Sequence, residues 1–316
     1  MLEQPNQVAP TLDVRVVPST EHGARLDAFL SHLGPERSRS EWQRLIGLGT
    51  VRLNGDSAKA ATRVATGDSV QVLPIPGHVA IRAQSDIALN VLYQDPAVIV
   101  LDKPPGLVVH PAPGHEDGTL VNALLARFPE LQDPTGELRP GIVHRLDKDT
   151  SGLMVVGRTT HALAQLQGQM KRREVEKRYL LLVAGSFQED EGRIDLPIGR
   201  SLANRQRMAV RADGKEAITE FKVVERFADW TLVDARIQTG RTHQLRVHFL
   251  YIGHAVAGDR TYGANRGPTG LTRQFVHAAH LAFRSPIDGR LQQFEAPLPA
   301  DLSLVLDELR RGGKAG

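Results

Sequence analysis

The sequence predicts an α+β protein. Short apolar segments of strand length and amphipathic segments with helical spacing follow one another along most of the 316 residues, with no visible repeat. The two kinds of segment alternate irregularly, whereas a doubly wound parallel sheet would need regular strand–helix alternation. A chain of this length also exceeds an average domain, so we expect one large domain and one small domain.

The N-terminal part of the chain predicts a disordered arm followed by a compact module. Residues 1–20 are polar, contain prolines and show neither a helical nor a strand period. Residues 21–75 then contain two short amphipathic helices, in "LDAFLSHLG" and "SRSEWQRLIGLG". Two strands follow, in "TVRLNG", which ends in an Asn-Gly turn, and in "GDSVQVL".

This module resembles the alpha-L RNA-binding domain, which occurs in a small-subunit ribosomal protein and in several RNA-modifying enzymes. The matching segments are "RLDAFL", "SRSEWQRLIGLGTVRLNG" and the final "GDSVQV". The resemblance places Arg37, Arg39 and Arg44 on a helix that faces RNA, where guanidinium groups suit phosphate. Without the resemblance, the same arginines would be ordinary charges on a solvated helix face.

Residues 76–88 predict a linker, and residues 89–312 predict the large domain. The linker segment "LPIPGHVAIRAQSDIA" contains two prolines and has no clear period. The predicted strands of the large domain are "NVLYQD", "AVIVLDKP", "GIVHRLD", "GLMVVGRT", "KRYLLLVAG" and "TLVDARIQTG". Its predicted helices lie in "TLVNALLARF" and "THALAQLQGQMKRREV".

Composition limits the chemistry and locates the positive charge. The chain has no cysteine, which excludes disulfides, thiol nucleophiles, iron–sulfur clusters and Cys-ligated zinc. Its net charge of +3 is small, but residues 139–178 hold nine basic against four acidic residues and residues 200–215 hold five against one. These two windows are where a polyanion could dock. We find no signal peptide and no apolar run long enough for a membrane span, so we expect a cytoplasmic protein.

The segment "GIVHRLDKDTSGLMVV" (141–156) places charged residues between two apolar, strand-like runs. Asp147 follows the first predicted strand, where a loop at the end of a sheet can present it to a cleft. Two structural interpretations compete, namely a cap of the turn by Asp147 or Asp149 and an ion pair with Arg145 or Lys148. The Asp-x-Asp pattern also resembles the haloacid-dehalogenase-like phosphotransferases, although Thr150 follows it where that family normally has Gly.

A second segment, "QTGRTHQLRVHFLYIGH" (238–254), concentrates cations at the predicted start of a helix. Thr242 can cap this helix, in which Leu245, Phe249 and Ile252 form an apolar stripe that leaves Arg246 on another face. A solvent-facing arginine is the simplest interpretation. Nevertheless, cations are unfavourable at a helix N-terminus unless an anion lies there, and Asp147, a phosphate or both could supply that anion. The crowded cations are Arg241, His243, Arg246 and His248.

Together these segments resemble the RluA family of pseudouridine synthases, and within it the type called RluD, which acts on the large ribosomal subunit. The resemblance rests on "LDKPPGLVVHP" (101–111), "HRLDKDTSGLMVV" (144–156), "EKRYLLLV" (176–183) and "TGRTHQLRVH" (239–248). "GHAVAGDRTYG" and "FVHAAHLAF" follow in family order, and the similarity covers about residues 20–305. It implies a catalytic domain with a mixed, largely antiparallel sheet.

The resemblance also implies the reaction and the residues that carry it. Isomerising uridine to pseudouridine exchanges no electrons or groups with outside reactants, so we expect neither a cofactor nor a catalytic metal. Asp147 matches the family's catalytic carboxylate and Arg246 its basic partner. Tyr179 matches the aromatic residue that stacks on the uracil, and whether its hydroxyl also takes a proton stays open. Arg145 is a candidate to fill the gap left by the extruded base.

The RNA partner implied by the resemblance is large-subunit ribosomal RNA, with uridines of the helix-69 stem-loop of 23S RNA as targets of a monomeric bacterial enzyme. A magnesium-dependent phosphatase and a non-catalytic RNA-binding protein are the alternatives. The first would need a further acidic cluster, for which "GDRTYG" offers only Asp259. The second predicts that Asp147 is dispensable. The predicted RNA contacts, beyond Arg37, Arg39 and Arg44, are His144, Arg145, Lys177, Arg205, Arg207, Lys215, Arg241 and His243.

Overall fold

The computed structural model describes residues 13–33, 39–73, 81–112, 114–131, 139–205, 207–263 and 267–312. The chain divides into two compact units, the first comprising Met1–Ile81 with Gln132–Pro140 and the second Arg82–Leu131 with Gly141–Gly316.

The first unit combines two helices with a four-stranded antiparallel sheet. Its elements are β1 (Asp13–Val16), a 3₁₀ turn (Ser19–Glu21), α1 (Leu26–Leu33), α2 (Arg39–Gly47), β2 (Val51–Leu53), β3 (Asp56–Ser57) and β4 (Ser69–Val72). The strand order is β1-β4-β2-β3. Leu26 and Phe29 of α1 and Trp42 and Leu45 of α2 are buried in one core, as their helical spacing predicts. Asn54 and Gly55 have positive φ angles of 53° and 90°, which confirms the Asn-Gly turn.

The prediction of a disordered arm over residues 1–20 is wrong for its C-terminal part, where Asp13–Val16 forms a strand. Asp13–Val16 pairs with β4, and Val17 is buried in the core of the unit. This strand has only four residues, and its two valines, Val14 and Val16, are exposed. So short a segment is not recognisable as a strand from its sequence. Residues 1–12 lie outside the described part of the chain.

The second unit contains the remaining elements. They are β5 (Asn90–Gln94), β6 (Val98–Lys103), α3 (Leu120–Arg127), β7 (Ser151–Gly157), α4 (Thr160–Lys171), β8 (Glu176–Ala184), β9 (Glu191–Asp195), β10 (Ile198–Arg200), β11 (Met208–Val210), β12 (Ile218–Arg226), β13 (Trp230–Ile237), α5 (Gln244–Tyr251), β14 (Val276–Arg284), β15 (Leu291–Glu295) and α6 (Ala300–Gly312).

Nine of these strands form one mixed, largely antiparallel sheet, which confirms the α+β prediction. Its order is β5-β6-β7-β14-β8-β13-β12-β9, and β15 pairs with β14. The only parallel pairing recorded in this sheet, among the described residues, joins β7 to β14 where both strands begin. Gly152 lies at that point with φ of +115°, and a Cβ there would lie 2.3 Å from the carbonyl oxygen of Ala278. Only glycine therefore fits this position, directly after the turn that carries Asp147.

Two helices bury the parts of the sheet that flank this junction. Ala162 and Leu166 of α4 pack on Val100, Val155 and other apolar residues of β6, β7 and β14. Thr159 begins α4 by accepting a hydrogen bond from the backbone N–H of Ala162. Leu302, Val305 and Leu306 of α6 pack with Leu182 and Leu232 of β8 and β13. All seven residues of β7 are buried, so this strand is a rigid support for the preceding turn.

The strand predicted in "GIVHRLD" is wrong. Residues 143–147 have no regular structure, and one isolated bridge joins Ile142 to Val156. The N–H of Val155 donates to Nε2 of His144 at 3.2 Å, so a side chain satisfies the donor that a neighbouring strand would otherwise pair. The segment runs beside β7 without joining the ladder, and it reaches Asp147 as an irregular loop.

The predicted domain boundaries at residues 75/76 and 88/89 remain a prediction, since residues 74–80 lie outside the described residues. Residues inside the predicted linker already contact α3. The side chain of Asn122 donates to the carbonyl of Arg82 at 2.7 Å, and the N–H of Gln84 donates to the carbonyl of Asn122 at 3.0 Å.

Candidate active site

Asp147 lies in the turn that connects the irregular loop to β7. The N–H of Thr150 donates to the carbonyl of Asp147, which closes the turn. Lys103, at the end of β6, is fully buried and donates to three backbone carbonyls, those of Pro104, Leu107 and Lys148, at 2.7–3.0 Å. An ammonium group has three protons, and here each has an acceptor. Lys103 therefore holds the residue next to Asp147 in place.

Arg246 forms an ion pair with Asp147 and a second one with Asp259. Its Nη1 donates to Oδ2 of Asp147 at 2.9 Å, while Nε and Nη2 donate to the two oxygens of Asp259 at 2.6 and 2.9 Å. Arg246 and Asp259 are buried, whereas 18% of the Asp147 side chain is exposed. Burial alone would lower the pKa of Arg246. The hydrogen bonds to Asp259 and the negative charge of Asp147 have the larger combined effect, so the pKa of Arg246 is raised. The guanidinium is thus permanently charged, and Asp147 keeps an exposed edge for a reactant.

The structure corrects the predicted start of the helix that carries Arg246. The residue preceding α5 is His243, with φ of 57°, and not Thr242. Gln244 enforces this left-handed turn, because its Oε1 accepts from the hydroxyl of Thr239 and the N–H of Arg241. The solvent-facing position considered for Arg246 is also wrong, since a strained, well-anchored turn directs it into the protein.

His243 and Tyr262 extend the contacts around the ion pair. Nδ1 of His243 lies 2.8 Å from the hydroxyl of Tyr262, and its Nε2 lies 3.9 Å from Oδ1 of Asp147. Burial lowers the pKa of His243, although the Asp147 charge opposes this shift. The guanidinium carbon of Arg246 lies 5.0 Å from the centre of the Tyr262 ring, within cation–π range. Tyr262 therefore contacts both His243, which precedes α5, and Arg246, which lies within α5.

Asp147 opens into a cavity of about 730 Å³ within the second unit. This volume lies in the range of pockets that hold small molecules or a single nucleotide. Its lining includes Gly106, Val109 and His115 from the segment after β6, together with Arg260 and Gln274. Arg145 and Arg246 line the cavity beside Asp147, so two guanidinium groups lie near the carboxylate, and the ring of His243 lines it as well.

A second set of hydrogen bonds holds the turn from the side of α6. Arg273 donates to both oxygens of Asp301, to the carbonyl of Asp149 and to the hydroxyl of Ser151. His277 bonds the same hydroxyl at 3.0 Å. Together with Lys103, these groups fix both ends of the Asp147 turn, and the site is therefore built before any ligand binds.

Tyr179 and Lys177 lie on one face of β8, because residues two apart on a strand point the same way. Tyr179 is 5% exposed, and burial, with the Asp147 charge, raises the pKa of its hydroxyl. It is not among the residues that line the cavity. Lys177 is also buried and contacts the sulfur of Met170, at 3.5 Å, and burial lowers its pKa to about 8.

Some of the predicted RNA contacts are exposed side chains, and others already bind groups within the protein. Arg44, Arg145, Arg205, Arg207 and Lys215 are exposed, and Arg39, half exposed, pairs with the buried Asp27 at 3.2 Å. Arg241 donates to the carbonyl of Glu216. Arg37 lies outside the described residues.

His144 does not fit the RNA contact predicted for it. Its Nε2 accepts from Val155, and burial, assisted by the Lys177 charge, lowers its pKa to about 3. It is a neutral ring that supports the loop and not a cation that faces RNA.

Four residues of the site were not identified from the sequence: Lys103, Asp259, Tyr262 and Arg273. The motifs "LDKPPG" and "GDRTYG" contain the first three, but nothing in the spacing shows which side chains they contact. Asp259 was considered as a metal ligand, and the structure pairs it with Arg246 instead. Within the described residues, no group of three or more His, Asp or Glu side chains is placed to hold a metal ion.

Comparison with protein-family models identifies both units of the chain. The model of RNA pseudouridylate synthases matches residues 97–251, which contain Asp147, Tyr179 and Arg246. The model of the S4 domain matches residues 24–70 in the first unit. The fold and site thus define an RNA-modifying isomerase with an appended S4 domain.

Similar proteins extend this match over nearly the whole chain. An RNA pseudouridine synthase of Chloroflexus aurantiacus is 48% identical over 94% of this chain and 93% of that protein. RNA pseudouridine synthase YlyB of Bacillus subtilis is 44% identical over 92% and 95%, respectively. The ribosomal large subunit pseudouridine synthase D of Xanthomonas campestris is 43% identical over 93% and 92%. The chain belongs to the RNA pseudouridine synthase family, and its relatives include enzymes of the RluD type predicted from the sequence.

Solved structures agree with this assignment. The human RNA pseudouridylate synthase domain containing 1 has a TM-score of 0.56 and 28% identity, and the match covers 72% of this chain and 96% of that one. In the described part of the chain, no helix is both long and apolar enough to cross a membrane.

Proposed function

We propose that this enzyme isomerises specific uridines of large-subunit ribosomal RNA, within the helix-69 stem-loop, and that Asp147 is its catalytic carboxylate. The observation that carries the proposal is the 2.9 Å ion pair between the partly exposed Asp147 and the buried Arg246, at a cavity of nucleotide size. The relatives named ribosomal large subunit pseudouridine synthase D support the choice of RNA.

The reaction requires an anion that remains charged after the base has displaced water. Isomerisation breaks the bond from N1 of the uracil to C1′ of the ribose, rotates the base and forms a bond from C5 to C1′. Asp147 can attack the nucleoside or take a proton from the sugar while the base is detached, and both routes need a carboxylate. Arg246 supplies the opposite charge directly beside this carboxylate, because its Nη1 donates to Oδ2 of Asp147 at 2.9 Å. Asp259 holds Arg246 in two further hydrogen bonds, which leaves one nitrogen for Asp147.

Tyr179 serves in this proposal as a stacking surface and not as a base. Burial and the Asp147 charge raise its pKa above the usual tyrosine range, so the phenol is protonated at neutral pH. Its hydroxyl has no hydrogen-bond partner among the described residues. Since the ring is only 5% exposed, a uracil that stacks on it must enter past Asp147 or displace a neighbouring side chain.

The proposal requires RNA to deliver an unstacked uridine to the cavity. Base extrusion costs a few kcal/mol and is least costly in loops, which favours a stem-loop as target. Arg145 is exposed two residues before Asp147 and lines the cavity, so it can occupy the space that the uridine leaves in the stack. The exposed Arg205, Arg207 and Lys215 can contact phosphates around it.

A direct test is release of tritium from C5-labelled uridine in a helix-69 stem-loop transcript. We expect release at one or more uridines of this RNA, with no release from a stem-loop of the same length and unrelated sequence. The activity should persist in excess chelator, provided that the RNA fold is verified without divalent ions, because Asp147 is balanced by Arg246. Loss of activity on metal removal would instead contradict the expectation that the reaction needs no catalytic metal.

Removing residues 1–75 should separate RNA anchoring from catalysis. If the S4 domain is an anchor, its loss should weaken binding to structured ribosomal RNA by about tenfold or more, since two linked sites bind more tightly than one. The single-turnover rate at saturating RNA should change much less. Filter binding and single-turnover assays measure the two quantities, with circular dichroism as a check on folding. Equal RNA affinities of both proteins would reject the anchor role.

A further inference from the structure

The hairpin formed by β10 and β11 carries a structured tip next to the candidate active site. The two strands pair antiparallel from Ile198 with Val210 to Arg200 with Met208. Within the tip, which we define as residues 201–205 and 207, the N–H of Ser201 donates to the carbonyl of Arg207, and the N–H of Arg207 donates to the carbonyl of Asn204. Arg200 reaches across with its guanidinium to the carbonyl of Arg205 at 3.0 Å. These bonds give the tip a defined shape.

Leu202 projects from this tip into solvent. It is 86% exposed, the largest exposed fraction among the large apolar side chains of the described residues. Single exposed apolar residues are common on proteins, so exposure alone indicates nothing. The tip, however, is held by the hydrogen bonds of Ser201, Arg207 and Arg200 described above, and Leu202 is not part of any buried apolar cluster of the described residues. Leu202 is therefore held on a fixed support and is free to contact a partner.

The charges around Leu202 indicate that the partner is a polyanion. Arg205 and Arg207 of the tip, and Lys215 beyond β11, are exposed, and within the described residues none of them pairs with a carboxylate. The one acidic residue of residues 200–215 is Asp213, which is occupied by two hydrogen bonds from Arg211. An apolar side chain flanked by unpaired cations fits the base stack and the phosphates of RNA better than a protein surface.

Tyr262 connects this hairpin to Asp147. Its hydroxyl accepts a hydrogen bond from the N–H of Met208 at 2.8 Å and contacts His243 at the same distance. The guanidinium carbon of Arg207 lies 6.0 Å from the centre of the Tyr262 ring, and that of Arg246 lies 5.0 Å from it. The tip is thus fixed relative to the residues that surround Asp147, and RNA bound at the tip is also close to the cavity.

We propose that Leu202 is a wedge that enters the RNA base stack beside the target uridine and promotes its extrusion toward Asp147. This inference rests on the proposed function. Apolar side chains inserted between bases unstack them and stabilise a distorted nucleic acid, which offsets the cost of flipping. The role differs from that of Arg145, which would occupy the vacated position after extrusion. Leu202 acts on the RNA and not on the reacting atoms, so it is a positioning residue.

The test compares Leu202→Ala with wild type on two RNAs. One is a stem-loop in which the target uridine is stacked, and the other is a short unstructured oligonucleotide that contains the same uridine. We expect Leu202→Ala to lower the single-turnover rate at saturating RNA about tenfold or more on the stem-loop, with little change on the unstructured RNA. A 2-aminopurine next to the target should show a correspondingly smaller rise in fluorescence when the enzyme binds.

Two further variants control this comparison. Leu202→Met keeps a long apolar side chain and should retain most of the wild-type rate on the stem-loop. Leu304→Ala removes an exposed leucine of α6, 60% exposed, and should have no effect. A wild-type rate for Leu202→Ala on the stem-loop would overturn the wedge, and so would an equal loss on both RNAs. If wild type itself forms no pseudouridine in either RNA, the proposed function fails, and the wedge fails with it.

Discussion

Replacing Asp147 by asparagine should abolish pseudouridine formation while leaving folding and RNA affinity close to those of wild type. Asparagine has nearly the same volume as aspartate, and its carbonyl oxygen can still accept the hydrogen bond from Arg246. It cannot provide the negative charge that the detached sugar requires. We expect the single-turnover rate to fall about a thousandfold or more. Tritium release from C5-labelled uridine in RNA measures this rate.

Asp149→Asn is a matched control for this variant. Asp149 lines the same cavity two residues further on, but Arg246 makes its hydrogen bonds to Asp147 and Asp259. We therefore expect Asp149→Asn to keep most of the activity. The phosphotransferase interpretation requires both carboxylates, so it predicts equal losses in the two variants. Measurable turnover by Asp147→Asn would contradict the catalytic role of Asp147.

Replacing Arg246 by alanine should have the next largest effect, on both activity and stability. Asp259 is fully buried and would lose its bidentate partner, which costs about 3–5 kcal/mol for a buried charge left unpaired. Asp147 would lose its counter-charge at the same time. We expect the single-turnover rate to fall by at least about a hundredfold. Thermal unfolding separates the loss of folded protein from the loss of catalysis.

Two further variants, Arg246→Lys and Arg310→Ala, test whether the effect is specific to the Arg246 guanidinium. Lysine restores the charge without the planar fork that spans Asp147 and Asp259, so it should recover part of the stability and part of the rate. Arg310 forms a comparable ion pair with Glu225 on the surface, and its loss should cost less than about 1 kcal/mol and leave catalysis unchanged. An unimpaired Arg246→Ala enzyme would show that Asp147 obtains its charge balance elsewhere.

Much of the sheet could be predicted from the sequence, because long apolar runs of strand length are local signals. Asp147 and Arg246 are 99 residues apart, and only their family motifs suggested that they meet. Spacing alone indicated a capped helix with an exposed arginine. The actual turn depends on Gln244, whose side chain bonds both backbone and side-chain groups from distant segments.

Other features depend on contacts that no local pattern reveals. His144 was predicted as an RNA contact, but its ring accepts the hydrogen bond from the N–H of Val155 that a neighbouring strand would otherwise accept. Asp259 was the only residue that "GDRTYG" offered to the acidic cluster of a phosphatase, and in the structure it accepts two hydrogen bonds from Arg246. The role of each of these two polar residues depends on the buried donor or acceptor that it contacts. Those contacts are formed by the tertiary structure and cannot be read from the local sequence.

The most direct test of the central claim maps pseudouridines in large-subunit ribosomal RNA by chemical labelling. Three strains are compared, which produce the wild-type protein, no protein and the Asp147→Asn variant at equal abundance. We predict that specific helix-69 pseudouridines are present in the first strain and absent from both others, since the chemistry depends on this carboxylate. An unchanged set of pseudouridines in all three strains would contradict the proposed substrate, and modification by the Asp147→Asn variant would contradict the proposed catalytic residue.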